Sequence, residues 1–283
     1  MKTGLVLEGG GVRGSYVAGV LDVFLEQGIG FDGVIGNSAG AIHGCSYLSG
    51  QKGRSIRYYK KYCGDYRFMS FRSWLMTGDL VGVDFCYHEL PEKLDVYDNE
   101  AFKCCGVPFY VVCTNVETGK PEYIRITDMN RQIDYLRASA SLPYFSRIVE
   151  IDGKKYLDGG CSDSVPVKAF REMGYERNVL ILTQPADYRK EPEFTTAAKV
   201  AYRKYPALAE SLRNRHETYN ETAELINKLE KSGDVFVIRP ARALDIGRME
   251  KDPRNVERVY YLGRRDALEH CDQLRQWLME AQA

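Results

Sequence analysis

Short apolar runs alternate with amphipathic segments along most of the chain. Runs typical of buried strands occur at 3–7, 34–35, 109–114, 178–183 and 235–238. Apolar residues at helical spacing follow the first two runs, at 15–27 and 39–48. This alternation predicts an α/β fold, a three-layer α/β/α arrangement around a largely parallel central sheet.

Other segments predict hairpins and a helical tail. Turn residues interrupt apolar stretches at 116–126 and 148–157, which is typical of hairpins. From about residue 194 the pattern is mostly helical, with long helices expected at 206–231 and 255–277. We therefore predict a domain at 1–190 and a mostly helical C-terminal extension at 191–283, packed on it.

The second strand run leads into the sequence G-N-S-A-G, which has the pattern of a nucleophile elbow. In that motif a sharp turn between strand and helix exposes a serine hydroxyl, here that of Ser38. The flanking Gly36 and Gly40 would let neighbouring chain segments pass closely. Ser38 is therefore the candidate nucleophile.

The first strand run leads into a glycine-rich turn, G-G-G-V-R-G. It comprises Gly9, Gly10, Gly11, Arg13 and Gly14, and a predicted helix follows it. Consecutive backbone N–H groups at a helix N-terminus suit an anion or a developing oxyanion. Together with Ser38, this turn would form half of an acyl-transfer site.

Two nucleotide-binding motifs compete for the same glycines. Gly9, Gly11 and Gly14 match a dinucleotide fingerprint, which needs an acidic residue about 20 positions later at the end of the second strand. Asp32 is near that distance but precedes its strand. A P-loop is excluded because Ser15 occupies the position of the required lysine.

The serine needs a base, and the four histidines are poorly placed for that role. His43 lies on the same predicted helix as the elbow and points away from it, and His88 lies in a polar segment. His216 and His270 lie among charged residues, as is typical of solvated helix positions. A triad of Ser38 and Asp158 with His216 or His270 nevertheless stays open as an alternative.

Asp158 is the better candidate base. It follows a predicted hairpin strand and precedes Gly159 and Gly160, which allow an exposed carboxylate and an unusual backbone. A carboxylate in a partly desolvated site can accept the proton of a serine hydroxyl. An ordinary turn is the competing interpretation, because Asp-Gly is common in turns.

Composition restricts the class of protein. The chain has 283 residues, 39 basic and 39 acidic side chains, and therefore no net charge that would favour nucleic acid. Its eight cysteines include no C-x-x-C pair, so we expect reduced thiols rather than a zinc site or a disulfide framework. The N-terminal stretch is too short for a signal peptide, and no apolar run approaches the roughly 18 residues of a spanning helix. We expect a soluble cytoplasmic protein without a metal.

The three motifs, in this order, resemble the patatin-like phospholipase family. The small-residue segment R-A-S-A-S-L-P-Y-F at 137–145 is also similar, and the resemblance covers roughly 3–185. It implies Ser38 as nucleophile, Asp158 as base, and an oxyanion held by Gly10 and Gly11 with Arg13 nearby. It further implies hydrolysis of lipid or lysolipid acyl esters without a metal or other cofactor. The chain departs from the family pattern at Ser164, where members often carry Asn.

Residues 52–76 form a basic and aromatic segment. Tyr58, Tyr62 and Tyr66 recur four residues apart and are flanked by Lys and Arg. Such segments suit peripheral contact with anionic membranes, where each cation contributes about 1 kcal/mol. Alternatively, the helix packs its tyrosines on the core and leaves its charges in water.

Our leading hypothesis is a serine acyl hydrolase that uses a Ser38–Asp158 dyad. One alternative is an α/β-hydrolase esterase with a Ser-Asp-His triad. The other is a non-catalytic nucleotide- or lipid-binding module.

Overall fold

A computed structural model describes residues 1–193 and 195–280, in which eight strands form one mixed sheet. The strands are β1 (Thr3–Leu7), β2 (Gly33–Asn37), β3 (Phe109–Asn115), β4 (Pro121–Ile126), β5 (Val149–Ile151), β6 (Lys154–Asp158), β7 (Arg177–Ile181) and β8 (Val235–Ile238). Their order is β5-β6-β3-β2-β1-β7-β8, and β4 also pairs with β3. Strands β3, β2, β1, β7 and β8 are parallel, so their carboxyl ends meet at one edge of the sheet.

Helices cover the sheet and fill the segments between strands. They are α1 (Ser15–Glu26), α2 (Ala39–Leu48), α3 (Arg54–Tyr62), α4 (Phe71–Thr77), α5 (Asn99–Cys104), α6 (Met129–Ser139), α7 (Val167–Glu172), α8 (Thr195–Ala201), α9 (Pro206–Ser232) and α10 (Pro253–Glu280). A π-helical segment spans Phe85–Leu94, and 3₁₀ turns span Gly11–Gly14 and Gly159–Cys161.

The central strands are buried on both faces. Leu5 and Leu7 of β1 join a core with residues of α1, α2, α6 and α10, whereas Val6 joins a separate core with residues of α7 and α9. This division follows from the two-residue period of a strand, which points successive side chains to opposite faces. The predicted three-layer α/β/α fold with a largely parallel sheet is confirmed.

Most predicted elements agree closely with the structure. The predicted hairpins are β3–β4 and β5–β6, and the second turns through Asp152 and Gly153, both at positive φ. Strand β7 ends at Ile181 rather than at residue 183. The reason is that the Thr183 N–H donates to the Glu8 carboxylate instead of to a neighbouring strand.

The basic and aromatic segment at 52–76 folds mainly onto the protein. Tyr58 and Tyr62 are 4% and 8% exposed and belong to a cluster with Phe68 and Phe85. Of the two alternatives for these rings, the structure shows packing on the core, where burial against the cluster removes their apolar area from water. Arg54 is also buried and pairs with the Asp95 carboxylate.

The chain after residue 205 is built into the same sheet and core. Strand β8 extends the sheet by parallel pairing with β7. Helix α10 crosses α1 so closely that a Cβ on Gly263 would strike the Tyr16 backbone, and the Tyr16 hydroxyl donates to Asp266 at 2.8 Å. Position 194 and positions 281–283 of the predicted extension lie outside the described residues. Over the described ranges, no helix is both long and apolar enough to span a membrane.

Candidate active site

Ser38 occupies a sharp turn between β2 and α2. Its φ of 51° and ψ of −124° are strained for a residue with a side chain. A Cβ on Gly36 would lie 2.7 Å from the Ala41 backbone, and one on Gly40 would lie 2.5 Å from the Leu7 carbonyl oxygen. Both glycines are therefore required for the close packing that holds Ser38 in this conformation.

A serine distant in sequence fixes the elbow. The Ser38 N–H donates to Ser139 Oγ at 2.9 Å, and Ser139 is fully buried at the end of α6. We assigned Ser139 no role from the sequence. The available signal was its place in the small-residue segment at 137–145.

Asp158 lies at the end of β6, next to the elbow. Its side chain is 3% exposed and accepts a hydrogen bond from the Gly160 N–H at 2.7 Å. Ser38 lines the same small cavity as this carboxylate, and its hydroxyl is near enough to lower the pKa of Asp158. A Cβ on Gly159 would strike the Val112 carbonyl, so the turn after β6 has no room for a side chain there.

Burial dominates the electrostatics of Asp158. Loss of hydration raises the pKa of its carboxyl above the ordinary value near 3.8. The charge of Arg215 opposes this rise most strongly, followed by the hydrogen bond from the Gly160 N–H and by the nearby Ser38 hydroxyl. The result is a buried carboxylate with raised proton affinity beside a serine hydroxyl, as a general base requires.

The glycine-rich turn packs directly against the elbow. A Cβ on Gly9 would lie 2.9 Å from Ser38 Cβ, and one on Gly14 would lie 2.7 Å from Ala39 Cβ. Gly10 and Gly11 open the 3₁₀ turn, and their N–H groups have no acceptor in the part of the chain that the structure describes. Two free donors therefore lie beside the serine, on the wall of a small polar cavity that Ser38 and Asp158 also line.

Arg13 lines this cavity too, and its Nε atom is buried without a hydrogen-bond partner among the described residues. Burial lowers the pKa of its guanidinium, the charge of Arg248 adds to this, and the Glu8 carboxylate opposes it. Glu8 is itself buried and accepts hydrogen bonds from the Thr183 N–H and the Tyr219 hydroxyl, the latter at 2.8 Å. Sequence reasoning missed Glu8, since nothing local distinguishes it.

The structure does not bring the two candidate triad histidines into contact with Ser38. His270 Nδ1 lies 2.7 Å from the Asp266 carbonyl oxygen on its own helix, and His216 Nε2 lies 3.8 Å from Glu217. His43 is buried, with Nδ1 2.9 Å from Ser55 Oγ, and burial lowers its pKa to about 3. Asp158 lines the small polar cavity together with Ser38, and no histidine of the described residues lines that cavity.

Ser38 also borders an apolar cavity of about 540 Å³. Its walls come from α2, α3, the π-helical segment and α6, and include Ile42, Tyr59, Phe68, Met69, Leu90, Tyr97, Met129, Ile133 and Leu136. A space of this size and polarity suits an acyl chain. Across the described ranges, no cluster of His, Cys, Asp and Glu could hold a metal ion.

Two family models match the chain. The model described as patatin-like phospholipase matches 5–97 and 106–171, and a domain of unknown function (DUF6363) matches 205–279. Together these matches cover the elbow, the aspartate turn and the C-terminal helices.

Relatives are similar over much of the chain. The uncharacterized protein YjjU of Escherichia coli is 28% identical over 249 residues, which are 86% of this chain and 70% of that protein. Lysophospholipase NTE1 of Saccharomyces cerevisiae is 28% identical over 197 residues, 68% of this chain but only 11% of that protein. This chain therefore aligns with about a tenth of the NTE1 length. Among solved structures, VipD from Legionella pneumophila aligns with 96% of this chain and 67% of its own, at 14% identity and a TM-score of 0.48.

Proposed function

The chain belongs to the patatin-like phospholipase family, and from that premise we propose that it hydrolyses lipid or lysolipid acyl esters with a Ser38–Asp158 dyad. The observation that carries this proposal is that Ser38, on its strained turn, and the buried Asp158 carboxylate line one small cavity beside two unpaired N–H groups. The lysophospholipase relatives support the same class of substrate.

In the acylation step, Asp158 removes the proton of Ser38 as the hydroxyl oxygen attacks the ester carbonyl carbon. The carbonyl oxygen becomes an oxyanion, which the Gly10 and Gly11 N–H groups stabilise, with the Arg13 charge nearby. Collapse of this intermediate breaks the ester bond, and the protonated Asp158 returns the proton to the leaving alkoxide. The acyl chain stays attached to Ser38 in the apolar cavity.

Deacylation repeats the same chemistry with water. Asp158 takes a proton from the water, the resulting hydroxide attacks the acyl-enzyme, and Ser38 leaves with the proton. Neither step requires a histidine, a metal or another cofactor.

Fatty acid release from a lysophospholipid and from a short-chain p-nitrophenyl ester tests this function, with Ser38→Ala as the matched control. The wild-type protein should release acid from both esters. A protein that binds these esters without releasing acid would instead be the non-catalytic lipid-binding module.

We expect Gly10→Ala to reduce kcat about tenfold to a hundredfold with little change in KM. The φ of Gly10 is 164°, outside the left-handed region, but an added Cβ would lie 3.1 Å from Thr183 Oγ1 and shift the N–H. Complete loss of an oxyanion donor costs about 10²–10³ in rate, so a displaced donor should cost less. Steady-state kinetics on one ester measure the effect, and circular dichroism verifies the fold. An unchanged kcat would show that the Gly10 N–H does not stabilise the oxyanion.

For peripheral contact with an anionic membrane, we propose α4 as the contact surface within 52–76. Phe71, Leu75 and Met76 are 53%, 78% and 70% exposed on this helix. Met69 and Val81, which flank α4 and pair in an isolated bridge, both line the apolar cavity. Lipid taken up beside α4 would therefore have a short path to Ser38.

Leu75→Ser should weaken binding to phosphatidylglycerol vesicles about tenfold, because burial of a leucine side chain in an apolar phase is worth about 1.5–3 kcal/mol. Vesicle sedimentation measures the bound fraction. Leu268→Ser is the matched control, since Leu268 is 51% exposed on α10. Equal losses of vesicle binding in the two variants would contradict α4 as the membrane-contact surface.

We also propose the division into a catalytic domain at 1–190 and a C-terminal extension at 191–283, in a cytoplasmic protein. The separate family matches, at 5–97 and 106–171 and at 205–279, support this boundary.

A further inference from the structure

A small polar cavity lies next to the apolar one and shares Ser38, Gly11 and Arg248 with it. Among the described residues, the cations on its wall are Arg13, Lys190, Arg215 and Arg248, and the carboxylates are Glu8 and Asp158. Lys190, Arg215 and Arg248 also line a groove of about 550 Å³. The cationic wall therefore continues from the serine into this groove.

Lys190 is the most unusual of these cations. The residue is 7% exposed, and two hydrogen bonds with Asn220, of 2.8 and 3.1 Å, fix its backbone. No ion pair joins it to a carboxylate in the described ranges, although Glu193 acts on it at longer range. Burial, together with the charges of Arg215 and Arg248, lowers its pKa to about 8. Its ammonium lies 5.7 Å from the centroid of the Tyr219 ring. A buried ammonium without a counter-ion is costly unless an anion binds beside it.

The two arginines leave donors available to a ligand. Arg215 Nε donates to the Gly160 carbonyl oxygen, and its two Nη atoms have no acceptor in the described part of the chain. Arg248 holds the glycine-rich turn through its carbonyl oxygen, which accepts from the Val12 N–H at 3.2 Å. Within the described ranges its side chain pairs with a single carboxylate, that of Glu193, at 3.7 Å from Nη1.

The local carboxylates do not neutralise this cluster. Glu8 accepts hydrogen bonds from Thr183 and Tyr219, and Asp158 accepts one from the Gly160 N–H. Glu191, Glu193 and Glu250 line the groove as well; the first two are exposed and Glu250 is half-buried. The wall of the polar cavity, with its four cations and two carboxylates, therefore keeps an excess of positive charge close to the serine.

The position of this charge relative to Ser38 indicates which part of a substrate it meets. An ester bound at Ser38 has an acyl side and an alkoxy side. If the acyl chain fills the apolar cavity, the alkoxy side extends into the polar cavity and the groove beyond it. In a lysophospholipid, the alkoxy side carries the phosphate.

We propose that Lys190, Arg215 and Arg248 form a phosphate-binding subsite that receives a phosphoryl group on the alkoxy side of Ser38. The inference rests on the proposed hydrolase function and specifies its substrate as an acyl ester that bears a phosphate. Guanidinium groups match phosphate oxygens in bidentate geometry, and an ammonium adds a point charge. All three side chains belong to the chain after residue 185, outside the segments that match the patatin-like phospholipase model.

The test compares 1-acylglycerol 3-phosphate with 1-acylglycerol of the same chain length. The quantity measured is the ratio of their kcat/KM values, in the wild type, Lys190→Gln and Arg248→Gln. Each variant should lower this ratio about tenfold to a hundredfold, because the phosphate-free ester makes no contact with the subsite. Lys228→Gln is the matched control, since Lys228 is exposed on the same helix as Arg215 and should keep the wild-type ratio.

Inorganic phosphate distinguishes a lipid headgroup from free phosphate as the ligand. For a headgroup subsite, phosphate should compete with the acylglycerol phosphate and leave acylglycerol hydrolysis unchanged. For a free-phosphate site, phosphate should change acylglycerol hydrolysis in the wild type but not in Lys190→Gln, and the ratio should stay constant. An unchanged ratio without any phosphate effect would overturn the subsite.

Thermal unfolding tests phosphate binding at the subsite independently of catalysis. Phosphate should raise the Tm of the wild type more than that of Lys190→Gln, because a ligand that binds only the folded state stabilises it. Failure to hydrolyse either ester would contradict the proposed function alone. Equal Tm shifts in both proteins would contradict the subsite alone.

Discussion

Replacing Ser38 by alanine should lower ester hydrolysis by about 10⁴–10⁶ and abolish labelling by a fluorophosphonate probe. The hydroxyl oxygen is the proposed nucleophile, and loss of a serine nucleophile in other hydrolases costs up to about 10⁶ in kcat. The remaining oxyanion donors can still accelerate attack by water, so a small residual rate is expected. Fatty acid release gives the rate, and mass spectrometry of the labelled peptide identifies the modified serine.

Ser164→Ala is the matched control for this experiment. Ser164 lines the same polar cavity as Ser38, and its hydroxyl donates to the Gly160 carbonyl oxygen at 3.2 Å. This variant should still be labelled at Ser38. Labelling at Ser164, or full activity in Ser38→Ala, would refute the proposed nucleophile.

Asp158→Asn should remove nearly all activity, with a loss of at least about a thousandfold. The asparagine oxygen can still accept the Gly160 N–H, so the turn after β6 should keep its structure. The amide cannot accept the serine proton, and general base catalysis contributes about 10²–10⁴ in rate. The measurement is kcat/KM on one ester, with circular dichroism as the test of folding.

The pH dependence of the same reaction gives an independent readout. Burial raises the pKa of Asp158, so wild-type activity should fall with decreasing pH at a value above the ordinary 3.8 of an aspartate. The raised pKa of Asp158 has the opposite consequence for stability, which is higher at low pH, where activity is low. Because the folded pKa is the higher one, stability decreases as pH rises from the unfolded pKa to the folded pKa, and it stays lower above that window. Asp158→Asn should therefore be at least as stable as the wild type at neutral pH, by thermal unfolding.

Burial raises the pKa of Glu8 as well, which adds a change of stability in the same direction. The difference between wild type and Asp158→Asn isolates the contribution of Asp158. An Asp158→Asn protein that is both active and less stable would assign the residue a structural role.

Histidine variants separate the dyad from the triad. His216→Ala and His270→Ala should keep kcat/KM within about tenfold, or about 1.4 kcal/mol in the barrier. A folded variant of either kind that loses a thousandfold would replace the proposed dyad with a triad.

Local sequence was sufficient for the elements that carry the site. The elbow at Ser38 and the turn at Asp158 were predictable because a strand, a glycine pair and a short polar residue specify a turn within about five positions. The alternation of Leu5, Val6 and Leu7 between two cores also follows from the period of the strand alone.

The burial of Tyr58 and Tyr62 could not be predicted in this way. A stripe of tyrosines on a helix face fits a membrane surface and a protein core equally well. Packing against Phe68, Phe85 and Val256 decided between them, and Val256 lies almost 200 residues further along the chain.

The sequence by itself determined the α/β class, the nucleophile elbow, the glycine-rich turn and the aspartate turn, because each depends on residues close together in the chain. Only the tertiary structure decided what surrounds them. Glu8 meets Tyr219 across 211 positions, and Lys190, Arg215 and Arg248 come to the wall of the Ser38 cavity from three separate segments. Such contacts arise from the order of strands in the sheet and from the packing of α9 and the segment before α10. No local pattern of apolar and polar residues predicts these long-range contacts.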